Sequence, residues 1–333
     1  LFNPTIEGIE DADALLIIGS NPRLEAAVLN ARIRKRWLQG SFPVALIGEK
    51  ADLTYDYDYL GAGPDSLSNL DSGFRSVLEK AERPMILVGQ GALTRDDGAA
   101  VLALAAKLAA DVGALGDDWN GFAVLHTAAA RAGGLDIGFV PQSGGMDTTA
   151  MIAAAAKGDI ETLFLLGADE LDTNDLGSAF VVYIGSHGDA GAHRADVILP
   201  GAAYSEKSGT YVNTEGRVQM TMRAAFPPGD ARDDWSIMRA LSDALGHRLP
   251  YDTLAQLRAQ LYEAHPHLAA IDEIAPGNAA DVAAMAKAGG NLSTAPFAGA
   301  VRDFYLTNPI ARASAVMAEC SAMALGPKAE AAE

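Results

Sequence analysis

Eight side chains able to donate or accept hydrogen bonds crowd one short stretch: Ser205, Glu206, Ser208, Thr210, Asn213, Thr214, Glu215 and Arg217, around Gly209 and Gly216. The stretch has almost no helical or strand period, so its side chains must satisfy many of its own backbone groups. Asn213, Glu215 and Arg217 are the candidate site residues, able either to line a cofactor or to bind main chain. An apolar run at 197–199, stopped by Pro200-Gly201, precedes them and suits a buried strand leaving a sheet.

Other clusters offer less. His187, Asp189 and His193 could close on zinc, but their spacing matches no standard pattern and a fourth ligand is missing, which favours hydrogen-bonded loop histidines. Ser205 or Lys207 as a nucleophile lacks a GxSxG elbow and an identifiable base. Gly89-Gln90-Gly91 is a fragment of a dinucleotide-binding motif whose third glycine is replaced by Thr94, so a simple turn into a helix is the better reading. Asp56 and Asp58 alternate with Tyr55, Tyr57 and Tyr59 without the glutamate that closes a calcium loop, which leaves tyrosines packed and aspartates in water.

Composition narrows the classes further. With 25 basic against 43 acidic residues the net charge is -18, which opposes binding to nucleic acid or anionic lipid. A hydrophobic content of 49% in 333 residues supports two packed units, and no apolar run approaches the about 18 residues that span a bilayer. Cys320, the sole cysteine, excludes an internal disulfide and a four-cysteine cluster made from this chain alone, and a buried thiol is its expected state. Leu1 is neither an initiator methionine nor part of a signal pattern, so a fragment is expected.

Five apolar runs ending in glycine must position these groups: LLIIG at 15–19, VALIG at 44–48, MILVG at 85–89, LFLLG at 163–167 and VVYIG at 181–185. Continuous apolarity implies parallel strands covered on both faces, with glycine allowing the sharp turn into the next helix. Asn21-Pro22 should cap a helix carrying Leu29, Ile33 and Trp37 inward and Arg32, Arg34, Lys35 and Arg36 outward. Thr94 with Asp97 suggests a capping box ahead of a helix with Val101, Leu104, Ala105 and Leu108 buried. Later helices are expected after Asp230 and Asp233, around Leu254, Leu257 and Leu261, and after Asn308-Pro309 with Val316, Met317, Cys320 and Met323 facing inward or onto a partner. The expected organisation is a first α/β lobe at 1–145, a second α/β lobe with the polar loop at 146–225, a helical segment at 226–325 and a disordered tail at 326–333.

The stretch ADVILPGAAYSEKSGTYVNTEGRVQ at 195–219 resembles the part of molybdopterin-dependent oxidoreductases, such as formate dehydrogenase, that wraps the pterin. It is more similar to the large iron-sulfur subunit of respiratory complex I, the proton-pumping NADH:quinone oxidoreductase. IEDADALLIIGSNPRLEAAVLNARIRKRW at 9–37, KADLTYDYDYLG at 50–61 and PPGDARDDWSIMRALSDALGHRLPYDTL at 227–254 resemble that large iron-sulfur subunit in particular. The resemblance implies two doubly wound lobes with mainly parallel sheets and a short helical C-terminal extension.

The same resemblance implies a structural, non-catalytic segment that braces a cluster-bearing N-terminal domain in the peripheral arm. Asn213, Glu215 and Arg217 would then be a vestigial pterin-side loop bound to backbone, with catalytic, cofactor and metal residues absent from this chain. Iron-sulfur clusters are implied upstream, and NADH and FMN in partner subunits. Its partners would be other peripheral-arm subunits, its location the cytoplasmic face of a bacterial inner membrane or the mitochondrial matrix side. The alternative is a molybdopterin-binding oxidoreductase of the formate dehydrogenase type.

Overall fold

A computed structural model describes residues 1–326 apart from 130, 189 and 276. Asp189 of the histidine cluster and residues 327–333 of the expected tail therefore lie outside the described residues.

In the first half of the chain the glycine-ended runs form a parallel sheet. β1 (Ala14–Ile18), β2 (Val44–Ile47), β3 (Asp58–Gly61), β4 (Pro84–Val88) and β5 (Phe122–Val124) stand in the order β3-β2-β1-β4-β5. Every neighbouring pair is parallel. Leu16, Ile18, Ile86 and Val88 enter one core with Val101 and Ala105 of the helix Gly98–Asp111. Leu15, Ile17, Leu46 and Leu87 enter a second core with Leu29 and Ile33 of the helix Ala27–Leu38. Removing each such side chain from water contributes about 1.5–3 kcal/mol, so two-sided burial explains why these strands are apolar without alternation. Strand order reverses between β1 and β4, which sets a switch point at their carboxyl ends.

Local details depart from expectation where a tertiary partner competes. The first helix breaks at Ala26, where φ is -155°, leaving Pro22–Glu25 as a single turn. Asn21 makes no cap bond; the Glu25 carboxylate instead takes the Ser20 hydroxyl at 2.7 Å and the Asn21 amide at 3.0 Å. The capping box at Thr94 does not form, because Thr94 Oγ1 donates to the Gln90 carbonyl at 2.7 Å and the Asp97 carboxylate binds Arg95 and the Ser293 amide.

β6 (Thr162–Leu166), β7 (Phe180–Gly185) and β8 (Val197–Pro200) form a parallel sheet in that order. Leu165, Val181 and Tyr183 pack with Ile152 and Ala155 of the helix Thr148–Lys157. On the opposite face the central strand is buried, with Val182 and Ile184 7% and 0% exposed, while Phe164, Leu166, Phe180 and Val197 toward the sheet's margins are 42%, 50%, 48% and 38% exposed. Two-sided cover, expected from the apolar runs, thus holds for the central strand β7 and lapses at β6 and β8, and β8 is an exposed edge rather than a buried strand.

β9 (Thr210–Val212) and β10 (Val218–Met220) form a hairpin. The helix Asp234–Ala244 starts after Asp233, although Leu245 faces solvent, and Leu254–Ala264 has a full capping box from Thr253 and Gln256. The single last helix expected after Asn308 is two: Asn308 caps Pro309–Arg312 and Ser314 caps Ala315–Leu325. Val316 and Met323 are exposed and Cys320 is only half-buried.

Two compact units divide the chain, one of residues 1–133, 212–217 and 272–302, the other of 134–211, 218–271 and from 303 onward. The first division falls at 133, against the expected 145, and 272–302 leaves the expected helical segment to join the first unit. The cause is packing: Val282 and Phe297 are buried members of the first unit's core.

Candidate functional site

The tip of the β9–β10 hairpin, residues 212–217, belongs to the first unit. Asn213 Oδ1 accepts the amides of Glu215 at 3.1 Å and Arg217 at 2.9 Å, a turn that Gly216 completes at φ +88°. Glu215, only 6% exposed, accepts the Ile6 amide on Oε2 at 2.8 Å and the side chains of Asn213 and Arg217 on Oε1, each at 3.2 Å. Burial alone would raise its pKa, but the bonds from Ile6, Asn213 and Arg217 outweigh burial and hold the carboxyl below its usual range. Arg217 Nη1 donates to the Asp272 carbonyl at 2.6 Å, and Thr214 Oγ1 donates to the Val124 carbonyl at 3.0 Å. The three candidate residues are therefore brought together, and their partners are main chain and one another.

Glu206, Lys207 and Ser208 are similarly committed within the second unit. Glu206 accepts the Ala203 amide at 2.9 Å, Ser208 the Arg223 amide at 3.1 Å, and Lys207 pairs with Asp234. At the carboxyl ends of β6, β7 and β8 a cleft of about 450 Å³ is lined by Gly167, Gly185, Ser186, Ala202, Tyr204 and Lys207, with Asp234 and Asn308 beside them. Lys207 and Asp234 are the charged residues of this lining and neutralise each other.

At the carboxyl ends of the first sheet, residues 291–302 cross the switch point. A Cβ added to Gly91 would lie 2.7 Å from the Gly19 carbonyl oxygen and 2.0 Å from that of Ala298, so the glycine is sandwiched between β1's end and this segment. Open hollows of about 730 and 680 Å³ lie to either side, both bordered by Ala298, Gly299 and Arg302.

A metal-bearing pterin needs cations or free donors for its phosphates and a thiolate or oxygen ligand for its metal. Neither strand-end region fits. The second unit's cleft offers a cation already neutralised, and Cys320, on the helix Ala315–Leu325, is not among its lining residues. At the first unit's switch point the Ala298 carbonyl already lies against Gly91, where a phosphate would have to approach.

The remaining candidates resolve locally. Arg32 and Lys35 bind Glu10 at 3.0 and 2.8 Å, Arg34 the Thr54 carbonyl and Arg36 the Ala12 carbonyl, so the basic helix face is held by its own unit. Tyr55 is buried and bonds Asn30 at 2.8 Å, while Asp56 and Asp58 are exposed. His187 Nδ1 lies 3.0 Å from Ser186 Oγ, and among the described residues nothing groups three His, Cys, Asp or Glu side chains about a metal position. His126 carries no motif, yet its Nδ1 is buried without a partner. Burial above all, with the positive charge of Arg131 adding to it, pushes its pKa down to about 4. Only its place at the end of a short strand, itself without a sequence signal, could have marked it.

The family model described as molybdopterin oxidoreductase matches residues 1–244, and that of the C-terminal part of the NADH-ubiquinone oxidoreductase G subunit matches 271–320. Over 97% of its length the chain is 43% identical to the mitochondrial NADH-ubiquinone oxidoreductase 78 kDa subunit of Neurospora crassa. It is 41% identical over 97% to the mitochondrial NADH dehydrogenase [ubiquinone] iron-sulfur protein 1 of Solanum tuberosum, and 43% identical over 96% to the 78 kDa subunit of Candida albicans. The chain spans 43%, 43% and 44% of these relatives' own lengths. Among solved structures, acetylene hydratase from Pelobacter acetylenicus superimposes with a TM-score of 0.51 at 14% identity, over 78% of this chain and 50% of that one, a likeness of fold.

Proposed function

Because this chain belongs to the molybdopterin oxidoreductase family and is homologous to the 78 kDa subunit of NADH-ubiquinone oxidoreductase, we propose that it is a structural, non-catalytic segment of that subunit. The observation that carries this reading is the hairpin tip, where Asn213, Glu215 and Arg217 bind main chain and each other. A loop that holds a cofactor keeps donors open toward it; this one closes them on its own unit. Catalysis by the assembly, from NADH through iron-sulfur clusters to quinone with proton translocation, would then lie outside this chain. Clusters belong to the N-terminal part of the subunit, NADH and FMN to its neighbours, and the whole to the peripheral arm on the cytoplasmic or matrix side. No helix among the described residues is long and apolar enough to cross a membrane, which agrees with attachment through partners.

The half-exposed apolar side chains of Phe164, Leu166, Phe180 and Val197 on one face of the β6-β7-β8 sheet support a docking role, since parallel sheets are normally covered on both sides. Purifying the full-length subunit with whatever accompanies it tests the reading. Flavin-bearing and cluster-bearing proteins in fixed ratio, with molybdenum, tungsten and pterin fluorescence absent, are the expected result. The second reading, a molybdopterin-binding oxidoreductase, would need the cleft of about 450 Å³ in the second unit to take the pterin in spite of its neutralised cation. Stoichiometric molybdenum or tungsten with pterin would establish that one instead.

A further inference from the structure

We propose that residues 291–302 are an internal stand-in for the diphosphate-bearing part of a cofactor, seated at the switch point of the first unit. The proposal rests on the structural reading above and adds what occupies the place a doubly wound sheet gives to its ligand. In such sheets a glycine after the strand lets a phosphate approach the backbone closely. Gly91 has that position after β4, and the oxygen that approaches is the Ala298 carbonyl.

Several polar groups beside Gly91 are engaged by the same segment. Arg95 donates to the carbonyls of Ala295 and Pro296, each at 3.1 Å, where its guanidinium would otherwise suit a phosphate. Asp97 accepts the Ser293 amide at 2.8 Å, and the Ala62 carbonyl, just past β3, accepts the Phe297 amide at 2.8 Å. Phe297 is 3% exposed, belongs to the core under the sheet, and lies 5.1 Å beneath the Arg95 guanidinium. The fit at Gly63, where a Cβ would stand 3.1 Å from both Ala295 O and Pro296 Cα, is equally close. A loosely draped loop would lack both the buried ring and the matched bonds; this segment has the contacts of a bound ligand and the covalent tether of the chain.

Hydrogen exchange on the full-length subunit tests this. The amides of Ser293 and Phe297 should exchange about 1000-fold or more slower than free loop amides, like those of β4. Exchange at loop rates would overturn the proposal. ADP and inorganic pyrophosphate at millimolar concentration should leave Tm unchanged, whereas a rise with either would mean an open crevice. Phe297→Ala should lower Tm by on the order of 10 °C and release protection in the turns after β1 and β4. An unchanged Tm would also overturn the proposal, and if the variant fails to fold, exchange on the unaltered chain decides. Pterin and metal found alongside protected strap amides would sink the non-catalytic reading and leave this proposal standing.

Discussion

The Glu215 carboxylate accepts the amide of Ile6 at 2.8 Å, joining residues 209 positions apart in the chain. Glu215→Ala would leave that buried amide, and the side chains of Asn213 and Arg217, without their acceptor. The cost expected is about 1–3 kcal/mol, from the desolvation of an unsatisfied donor. Equilibrium denaturation with urea measures it, and an unaltered midpoint would mean the hairpin tip is not a closing element.

Acid should loosen the same contact. Glu215 has its folded pKa below the ordinary 4.5, so its contribution is complete above that value and disappears as pH falls through the depressed folded one. Glu215→Gln should flatten the stability-against-pH curve below about 4.5 relative to the unaltered chain. Parallel curves would show that another carboxylate governs the acid limb.

His126 should act in the window above. Its folded pKa is about 4 against 6.5, so neutral imidazole is favoured by the fold; the stabilisation is full above 6.5 and is lost as pH falls toward 4. His126→Gln should lose that slope between 6.5 and 4, read from thermal melts across the range. A histidine proton titrating near 6.5 by NMR would contradict it.

Asn30 is buried and links two elements, donating to the Leu53 carbonyl at 3.1 Å and accepting the Tyr55 hydroxyl at 2.8 Å. Asn30→Ala strands both partners and should cost about 2–4 kcal/mol, well beyond an average surface substitution. Tyr55→Phe on top of Asn30→Ala should recover part of the loss, because it removes one of the stranded groups; equal stability of single and double variants would refute the linkage.

Phe164→Ser with Leu166→Ser should leave the isolated chain's Tm within a few degrees, since both side chains face water. Recovery of partner proteins with the altered full-length subunit should drop by at least about tenfold, as expected when apolar anchors leave an interface. Undiminished recovery would show that this sheet face is not the docking surface.

The strands that read clearly in the sequence are those with two covered faces. β1, β2 and β4 announce themselves as unbroken apolar runs, whereas β5, three residues in an alanine- and glycine-rich stretch, is set by pairing to β4. β6 carries the same apolar signal as β1 and β7, so its missing cover on one face was not legible: composition reports what a strand tolerates on its faces and not what the rest of the chain supplies. Asn213, Glu215 and Arg217 were legible as a group through the glycines around them, but their partners Ile6 and Asp272 are remote contacts that no local pattern encodes. The segment over the switch point was invisible for the same reason, being Gly- and Ala-rich with Phe297 as its one large buried anchor.

The first unit takes in residues as late as 302, so its hydrophobic interior lacks Val282 and Phe297 until long after β5 has been made. A nascent chain leaving the ribosome would hold β1 to β5 with their carboxyl edge uncovered while the whole intervening stretch is synthesised. That interval, rather than the finished protein, is when a chaperone or an early assembly factor would have an exposed sheet edge to bind.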